Sequence, residues 1–300
     1  MHKPNEMIYL LLCILSSAAV LVTFKLTERF RVNSFSAIIV NYITACLAGF
    51  FLAHGNVGLL STLGFGSFIF MLILGVLFIS VFRLISLSTQ RAGVAVTSVA
   101  AKMSVVLPIL FSVWIDEDDS LNLTKVVGIL LALVAVLLAV YRKEEVKRNN
   151  AGVYLPALIF LGIGIIDSSV KYAQATFVTN EMNPVFNSAV FAISGFVGIT
   201  VLPFNRHILN DVKRVKTWLL GLLLGLANFG SVYFMIAALN HTNATTGERA
   251  QGSIIFGVNN IGVVVAGVLL GLVLFNERPT LTNWVGIVLS VASIVILTNG

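Results

Sequence analysis

Ten runs of mostly apolar residues, each long enough to form a membrane-spanning helix, constrain the fold of this chain more than any motif does. A helix needs about 20 apolar residues to cross the hydrocarbon core of a bilayer, and it pairs its own backbone amides there without water. The runs lie at residues 7–27, 34–54, 65–87, 92–115, 124–141, 153–177, 184–204, 216–240, 244–275 and 280–298. With 58% hydrophobic and 11% charged residues, the chain is too apolar for a water-soluble core. The sequence therefore predicts an all-α membrane protein with ten transmembrane helices in a lipid bilayer.

The five runs before the basic segment 142–152 resemble the five runs after it in sequence. Lys25 aligns with Lys171, and further matches follow with an offset that only grows along the chain. Such ordered matches predict a duplication, with one five-helix repeat in residues 1–141, a linker at 142–152 and a second repeat in 153–300. An odd number of helices per repeat inverts the second copy in the membrane, and inverted-topology repeats are typical of secondary transporters.

The net charge of +6 is spread over short loops, which argues against a nucleic-acid-binding face and favours a topological role. Twelve basic residues fall in alternate loops on one side: Arg29, Arg31, Arg91, Arg142, Lys143, Lys147, Arg148, Arg206, Lys213, Arg214, Lys216 and Arg278. The other side has three, Lys3, Lys125 and Arg249, beside the acidic loop 116–119. By the positive-inside rule, both termini are expected on the outer side and the loop 142–152 in the cytoplasm.

Two segments that close the fourth and ninth runs carry a family resemblance. They are Pro108–Glu117, leading to Gly128, and Val265–Pro279, leading to Gly286. They resemble the two signature segments of the EamA family of the drug/metabolite transporter superfamily. The resemblance covers essentially the whole chain, and it implies a ten-helix exporter of small metabolites in the cell (inner) membrane, with the substrate bound between the two halves.

Charges inside apolar runs are the default candidates for a functional site, because an ionised group in the bilayer is costly and needs a partner, water or a role. They are Lys25, Arg83, Lys102, Asp167 and Lys171. Lys102 lies near the middle of its run, too deep to reach the headgroups comfortably. Its repeat counterpart is Asn260, beside Asn259, so the same position is polar in both repeats. We expect these three residues to bind substrate; the alternative is a structural lysine bonded to carbonyl groups of a neighbouring helix.

Lys25 and Lys171 occupy equivalent positions in the two repeats, and each is a further candidate for substrate binding or for reaching lipid headgroups. Asp167 precedes Lys171 by one helical turn, so both side chains share one helix face. That spacing fits either an internal ion pair or a proton-coupling carboxylate that releases Lys171 for substrate.

A second tier of candidates is polar but uncharged. Its members are Asn41, Tyr42, Gln174, Asn187, Asn228, Ser231, Tyr233 and Gln251. We select Asn41 and Tyr233 as further substrate-binding residues, although amides in membrane helices also bond neighbouring helices.

Glycines spaced four residues apart allow close helix contact. Gly221 with Gly225 and Gly267 with Gly271 have this spacing, which fits either internal packing or a homodimer.

Enzyme signals are absent from the sequence, so we predict no catalytic residues, no cofactor and no metal site. No glycine-rich phosphate loop is present, and the histidines fall in tails or loops without metal-ligand spacing. The sequence predicts a secondary-active exporter that works by alternating access, and the buried lysines favour anionic or zwitterionic metabolites. The competing interpretations are a flippase for a lipid-linked substrate and, from other classes, an intramembrane enzyme or a scaffold.

Overall fold

The computed structural model describes residues 4–91, 94–116, 119, 121–140, 151–241, 251–275 and 280–298. Within these ranges the chain is helical and forms no β-strand. Its α-helices are α1 (Pro4–Arg29), α2 (Ser34–Leu52), α3 (Phe65–Arg91), α4 (Val94–Met103), α5 (Val106–Ile115), α6 (Leu123–Val140), α7 (Ala151–Thr176), α8 (Met182–Val201), α9 (Arg206–Val212), α10 (Val215–Leu239), α11 (Gly252–Phe275) and α12 (Leu281–Thr298). Short 3-10 helices lie at Val57–Thr62 and Leu202–Phe204.

The apolar runs coincide with these helices, as expected for an integral membrane protein. In the part of the chain that the structure describes, seven helices are long and apolar enough to cross a membrane: α1, α2, α3, α7, α8, α10 and α11. Shorter apolar helical stretches at Ala100–Ile115, Leu123–Leu138 and Leu281–Ile296 cover the remaining three runs. Membrane-spanning helices are thus confirmed, whereas the count of ten spans stays a prediction.

The fourth run is not one helix, and the prediction of a continuous helix over 92–115 is wrong. The chain turns at Ser104 and Val105, between α4 and α5. Pro108 explains the break, because its ring lacks an amide hydrogen and clashes with the carbonyl four residues earlier, at Ser104. The sequence contained this signal, since Pro108 opens the first signature segment.

The ninth run also differs from its prediction. Residue 251 precedes the helix and α11 begins at Gly252, so a continuous helix from residue 244 is wrong. Residues 244–250, the end of the second signature segment at 276–279 and most of the linker 142–152 lie outside the described residues.

The chain divides into two compact units, and each unit combines segments from both halves of the sequence. The first, which we call the α6–α12 unit, comprises Met1–Leu10, Leu84–Ala175 and Ala238–Gly300. The second, the α2–α8 unit, comprises Leu11–Arg83 and Thr176–Ala237. In each unit the two helices in the name pack along one another. These are the fifth run with the tenth and the second with the seventh, the pairs that the predicted duplication makes equivalent.

Glycines bring the helices of the α2–α8 unit into close contact. A Cβ atom at Gly49 would lie 2.7 Å from the carbonyl oxygen of Pro184, and one at Gly225 would lie 2.5 Å from Cβ of Thr44. Gly221 faces Val40 of α2 in the same way. Gly221 and Gly225 therefore serve packing inside this unit.

Replacing Gly225 by Ala should destabilise the protein by about 1–3 kcal/mol, because the added methyl group would collide with Thr44 and with the Asn41 carbonyl oxygen. Thermal unfolding of the purified protein in detergent measures the effect. Gly66→Ala is the matched control, since a Cβ atom at Gly66 meets nothing within 4 Å. An equal loss of stability in both variants would contradict the packing role of Gly225.

Candidate functional site

The break between α4 and α5 is the centre of the candidate site. Lys102 lies in the last turn of α4, two residues before the turn, and its side chain is partly buried. A broken helix leaves carbonyl groups that need new hydrogen-bond donors inside a membrane. Nδ2 of Asn260 in α11 donates to the Lys102 carbonyl oxygen over 3.1 Å. The two residues that the duplication predicts to be equivalent are therefore in direct contact at the break.

Asp167 of α7 is the acidic member of this site. Burial disfavours the charged form of this carboxyl group, and the charge of Lys102, on a different helix, offsets part of that cost. The fold thus joins the two intramembrane charges that the sequence separates by 65 positions. Two helices thus contribute one basic and one acidic side chain to the candidate site.

Asn259 adds an uncharged hydrogen-bonding group next to Asn260. Its amide oxygen is buried and accepts no hydrogen bond from the described residues. A buried acceptor without a donor costs free energy, roughly 1–3 kcal/mol, that a ligand donor would recover. The site therefore combines a cation, a carboxylate and an open acceptor in one unit.

Lys171 has a different environment from the one predicted. Its Nζ atom lies 2.7 Å from Oδ2 of Asp116 and donates to Oε1 of Gln174 over 2.8 Å. Only 2% of the side chain is exposed. The alternative in which Lys171 forms an ion pair with Asp167 is wrong, because the side chain extends to the loop after α5 and its charge is used there.

Gln174 continues this hydrogen-bond network toward the end of α10. Its Nε2 atom donates to Oδ1 of Asn240 over 3.0 Å and to the carbonyl oxygen of Leu239 over 3.3 Å. The network ties the end of α7 to the end of α10 and to the loop after α5.

A second buried ion pair, Asp119 with Lys125, lies beside this network, although both residues were expected to be loop charges. Lys125 donates to Asp119 over 2.8 Å, and both side chains are almost fully buried. Asp119 also accepts from the backbone N–H and the hydroxyl of Ser253, over 2.8 and 2.6 Å, and so caps the start of α11. A carboxylate at a helix N-terminus is favourable, because it satisfies an amide and meets the positive end of the helix dipole.

Burial alone raises the pKa of Asp119, but its partners reverse that effect. Hydrogen bonds from Lys125 and Ser253, together with the charge of Lys125, hold the pKa below its ordinary value. Asp119 therefore stays ionised at neutral pH and keeps its cap on α11.

The remaining predicted site residues, Lys25, Asn41 and Tyr233, lie in the α2–α8 unit. Asn41 is fully buried, and its amide group has no hydrogen-bond partner among the described residues. Tyr233 stacks on Phe229, with ring centroids 5.4 Å apart. Lys25 is partly buried one turn before the end of α1. The α6–α12 unit thus brings together Lys102, Asp167, Asn259 and Asn260, with Lys171 nearby, and the other three belong to the second unit.

Comparisons with known proteins agree with this fold. Residues 155–299 match the EamA-like transporter family. An uncharacterized protein of Haemophilus influenzae is 28% identical over 95% of this chain and 95% of its own length. A crystal structure of another protein covers 99% of this chain and 98% of its own, with a TM-score of 0.75 and 17% identity, which shows likeness of fold alone.

Proposed function

Because residues 155–299 match the EamA-like transporter family, we propose that this integral membrane protein is a secondary-active transporter of small polar metabolites. The observation that carries the proposal is the presence of a basic and an acidic side chain, Lys102 and Asp167, in a unit that also contains a broken membrane helix. Discontinuous helices and intramembrane charges are features that transporters use to bind substrate and coupling ions near the middle of the bilayer.

The chemistry of the site favours a carboxylate-containing metabolite that also carries a hydrogen-bond donor. The Lys102 ammonium would bind the substrate carboxylate, while Asp167 and the open oxygen of Asn259 would accept from an ammonium or hydroxyl group. A zwitterion such as an amino acid satisfies all three groups at once. Lys171 would bind the substrate as a second cation only if the substrate replaced its present partners, Asp116 and Gln174.

We further propose that transport proceeds by alternating access between inverted repeats and that its net direction is export across the cell membrane. The pairing of α6 with α12 and of α2 with α8 supports the duplication. No phosphate-binding loop was found in the sequence, so the energy would come from a substrate or ion gradient.

Counterflow in proteoliposomes tests the proposed activity. Vesicles loaded with unlabelled amino acids or dicarboxylic acids should accumulate the matching labelled compound in a saturable manner, and empty vesicles with the same lipid should not. Transport of organic cations alone would overturn the assignment of substrate class. Covalent conversion of the compound without accumulation would indicate an intramembrane enzyme instead.

Asp167→Asn should change the pH dependence of this transport, because an amide keeps the shape of the side chain but cannot exchange a proton. In the wild type, a proton-coupled carrier should accelerate when a pH gradient is imposed, and the variant should lose that acceleration while still performing counterflow. Glu181→Gln, at an exposed position before α8, is the matched control. An unchanged response to the gradient in Asp167→Asn would leave Asp167 as an electrostatic partner of Lys102 only.

The basic loops predict an orientation that a fusion experiment can measure. Alkaline phosphatase fused after Gly300 should be active, because the charge count places the C-terminus on the outer side. A fluorescent protein at the same position should stay dark if it is exported unfolded. Bright fluorescence with inactive phosphatase would reverse the proposed topology.

A further inference from the structure

A cavity of about 420 Å³ lies at one end of the α2–α8 unit, where α1 ends, α2 begins and α9 leads into α10. Helix ends of this kind lie near the boundary between membrane and water. The polar residues that line the cavity are Arg31, Asn33, His207, Asn210, Asp211 and Arg214. Two guanidinium groups and one carboxylate thus share the lining.

Asp211 fixes one side of the cavity and uses both of its oxygens in doing so. Oδ1 accepts from Nη1 of Arg214 over 2.8 Å, and Oδ2 accepts from the backbone N–H of Asn33 over 2.9 Å. The carboxylate is buried, whereas half of the Arg214 side chain is exposed. Arg214 is therefore held in place by one of its N–H groups, and its other N–H groups can donate to a ligand. Because Asp211 offsets the charge of Arg214, Arg31 leaves the cavity lining with a net positive charge.

The backbone of Arg31 has a strained conformation. Its φ angle is 53°, in the left-handed region that favours glycine. The residue follows the end of α1, where Val32 N–H donates to the Thr27 carbonyl and Arg31 N–H to that of Glu28. Glycine is the usual residue at this position of a helix C-terminus. An arginine there indicates that the side chain serves something other than the fold.

Apolar side chains flank both arginines. Phe30, 46% exposed, precedes Arg31, and Val215, 72% exposed, follows Arg214. Neither residue lines the cavity, and Nζ of Lys216 lies 6.0 Å from the centroid of the Phe30 ring. Two arginines in the lining, each next in sequence to an exposed apolar residue, fit an amphiphile better than a free ion.

We propose that this cavity binds the phosphate headgroup of an anionic phospholipid, with Arg31 and Arg214 donating to the phosphate oxygens. Guanidinium groups bind phosphate through two parallel hydrogen bonds, and basic residues at the membrane surface attract anionic lipids. The acyl chains would lie against Phe30 and Val215. The lipid would act as a bound structural ligand at the membrane surface, independent of the Lys102 site.

Thermal unfolding of the purified full-length protein in detergent tests the proposal, with phosphatidylglycerol, phosphatidylcholine or inorganic phosphate added. Phosphatidylglycerol should raise the Tm by a few degrees and phosphatidylcholine should not, because a ligand of the native state stabilises it by mass action. Arg31→Gly should weaken the binding of phosphatidylglycerol about tenfold, since the variant lacks the Arg31 guanidinium group and its charged hydrogen bonds to the phosphate. Without lipid, its Tm should equal or exceed that of the wild type, because glycine relieves the left-handed strain.

The control variant is Arg29→Gln, which removes an exposed charge from the last turn of α1, outside the cavity lining. It should keep the response to phosphatidylglycerol. Equal losses in the Arg29 and Arg31 variants would indicate general surface charge and overturn the site. An equal rise in Tm with inorganic phosphate would overturn the lipid and leave a phosphate-ion site. A lower Tm of Arg31→Gly without lipid would show that Arg31 supports the fold and would also overturn the proposal.

Discussion

Replacing Lys102 by Met should reduce kcat/KM for transport of an anionic or zwitterionic substrate by about 100-fold, because a charged hydrogen bond to the carboxylate contributes roughly 1.5–3 kcal/mol, more where water is excluded. Methionine keeps the approximate length of the side chain and removes its charge. The protein should still fold, since the contact from Asn260 is to the backbone carbonyl of residue 102 and survives the substitution. Counterflow in proteoliposomes gives the kinetic constants, and size-exclusion chromatography reports folding.

A matched control is Lys213→Met, which removes an exposed lysine after α9. It should transport normally. The structural alternative predicts a different pattern, in which Lys102→Met lowers the Tm because Asp167 loses its electrostatic partner, and the double variant with Asp167→Asn recovers part of that loss. Normal folding with unchanged affinity in Lys102→Met would exclude Lys102 from the substrate site.

The centre of the candidate site was predictable because intramembrane charge is rare and stands out against an apolar background. Lys102 and Asp167 were selected mainly on that ground, and Asn260 by the predicted duplication. The structure adds that Lys102 and Asp167 interact and that Asn260 contacts the Lys102 backbone. The family resemblance of the second half of the chain is confirmed by the match over residues 155–299, whereas the roles of these site residues stay predictions.

The partners of the other charges were not predictable from local pattern. The helical spacing of Asp167 and Lys171 suggested an ion pair, but a long lysine side chain can equally reach a loop, and Asp116 lies in that loop. Asp119 and Ser253 are 134 positions apart, so only the fold brings them together. Apolar runs specify which segments enter the membrane, whereas the choice of neighbouring helices depends on side-chain shape along their whole length.

The composition of the two compact units also depends on which helices pack together. Sequence similarity indicated the halves 1–141 and 153–300 as repeats, but each unit takes helices from both. Helices that the predicted duplication makes equivalent pack along one another, as α6 does with α12. The compact units therefore do not coincide with the predicted repeats.

Replacing Asp119 by Asn should destabilise the protein by about 3–5 kcal/mol, because Lys125 would be left charged and 2% exposed without its counter-ion. For a protein of this size, the change corresponds to a fall in Tm of roughly 10 °C. The start of α11 would also lose the charged acceptor for the Ser253 N–H. Thermal unfolding in detergent measures the loss, and Glu181→Gln, an exposed carboxylate without a side-chain capping bond, should change the Tm little.

The pH dependence separates this ion pair from simple packing. The pKa of Asp119 is lowered from its ordinary value of 3.8, so its contribution to stability is complete above that pH and is lost as the pH falls through the lower folded value. The difference in Tm between the wild type and Asp119→Asn should be constant from neutral pH down to about pH 5 and should narrow below pH 3.8. A second variant, Asp119→Leu with Lys125→Met, should recover part of the loss, because it removes the buried charge along with its partner. If the difference in Tm stays the same at all pH values, the carboxylate charge does not stabilise α11, and the effect of the substitution comes from replacing a hydrogen-bond acceptor by the amide NH2 donor.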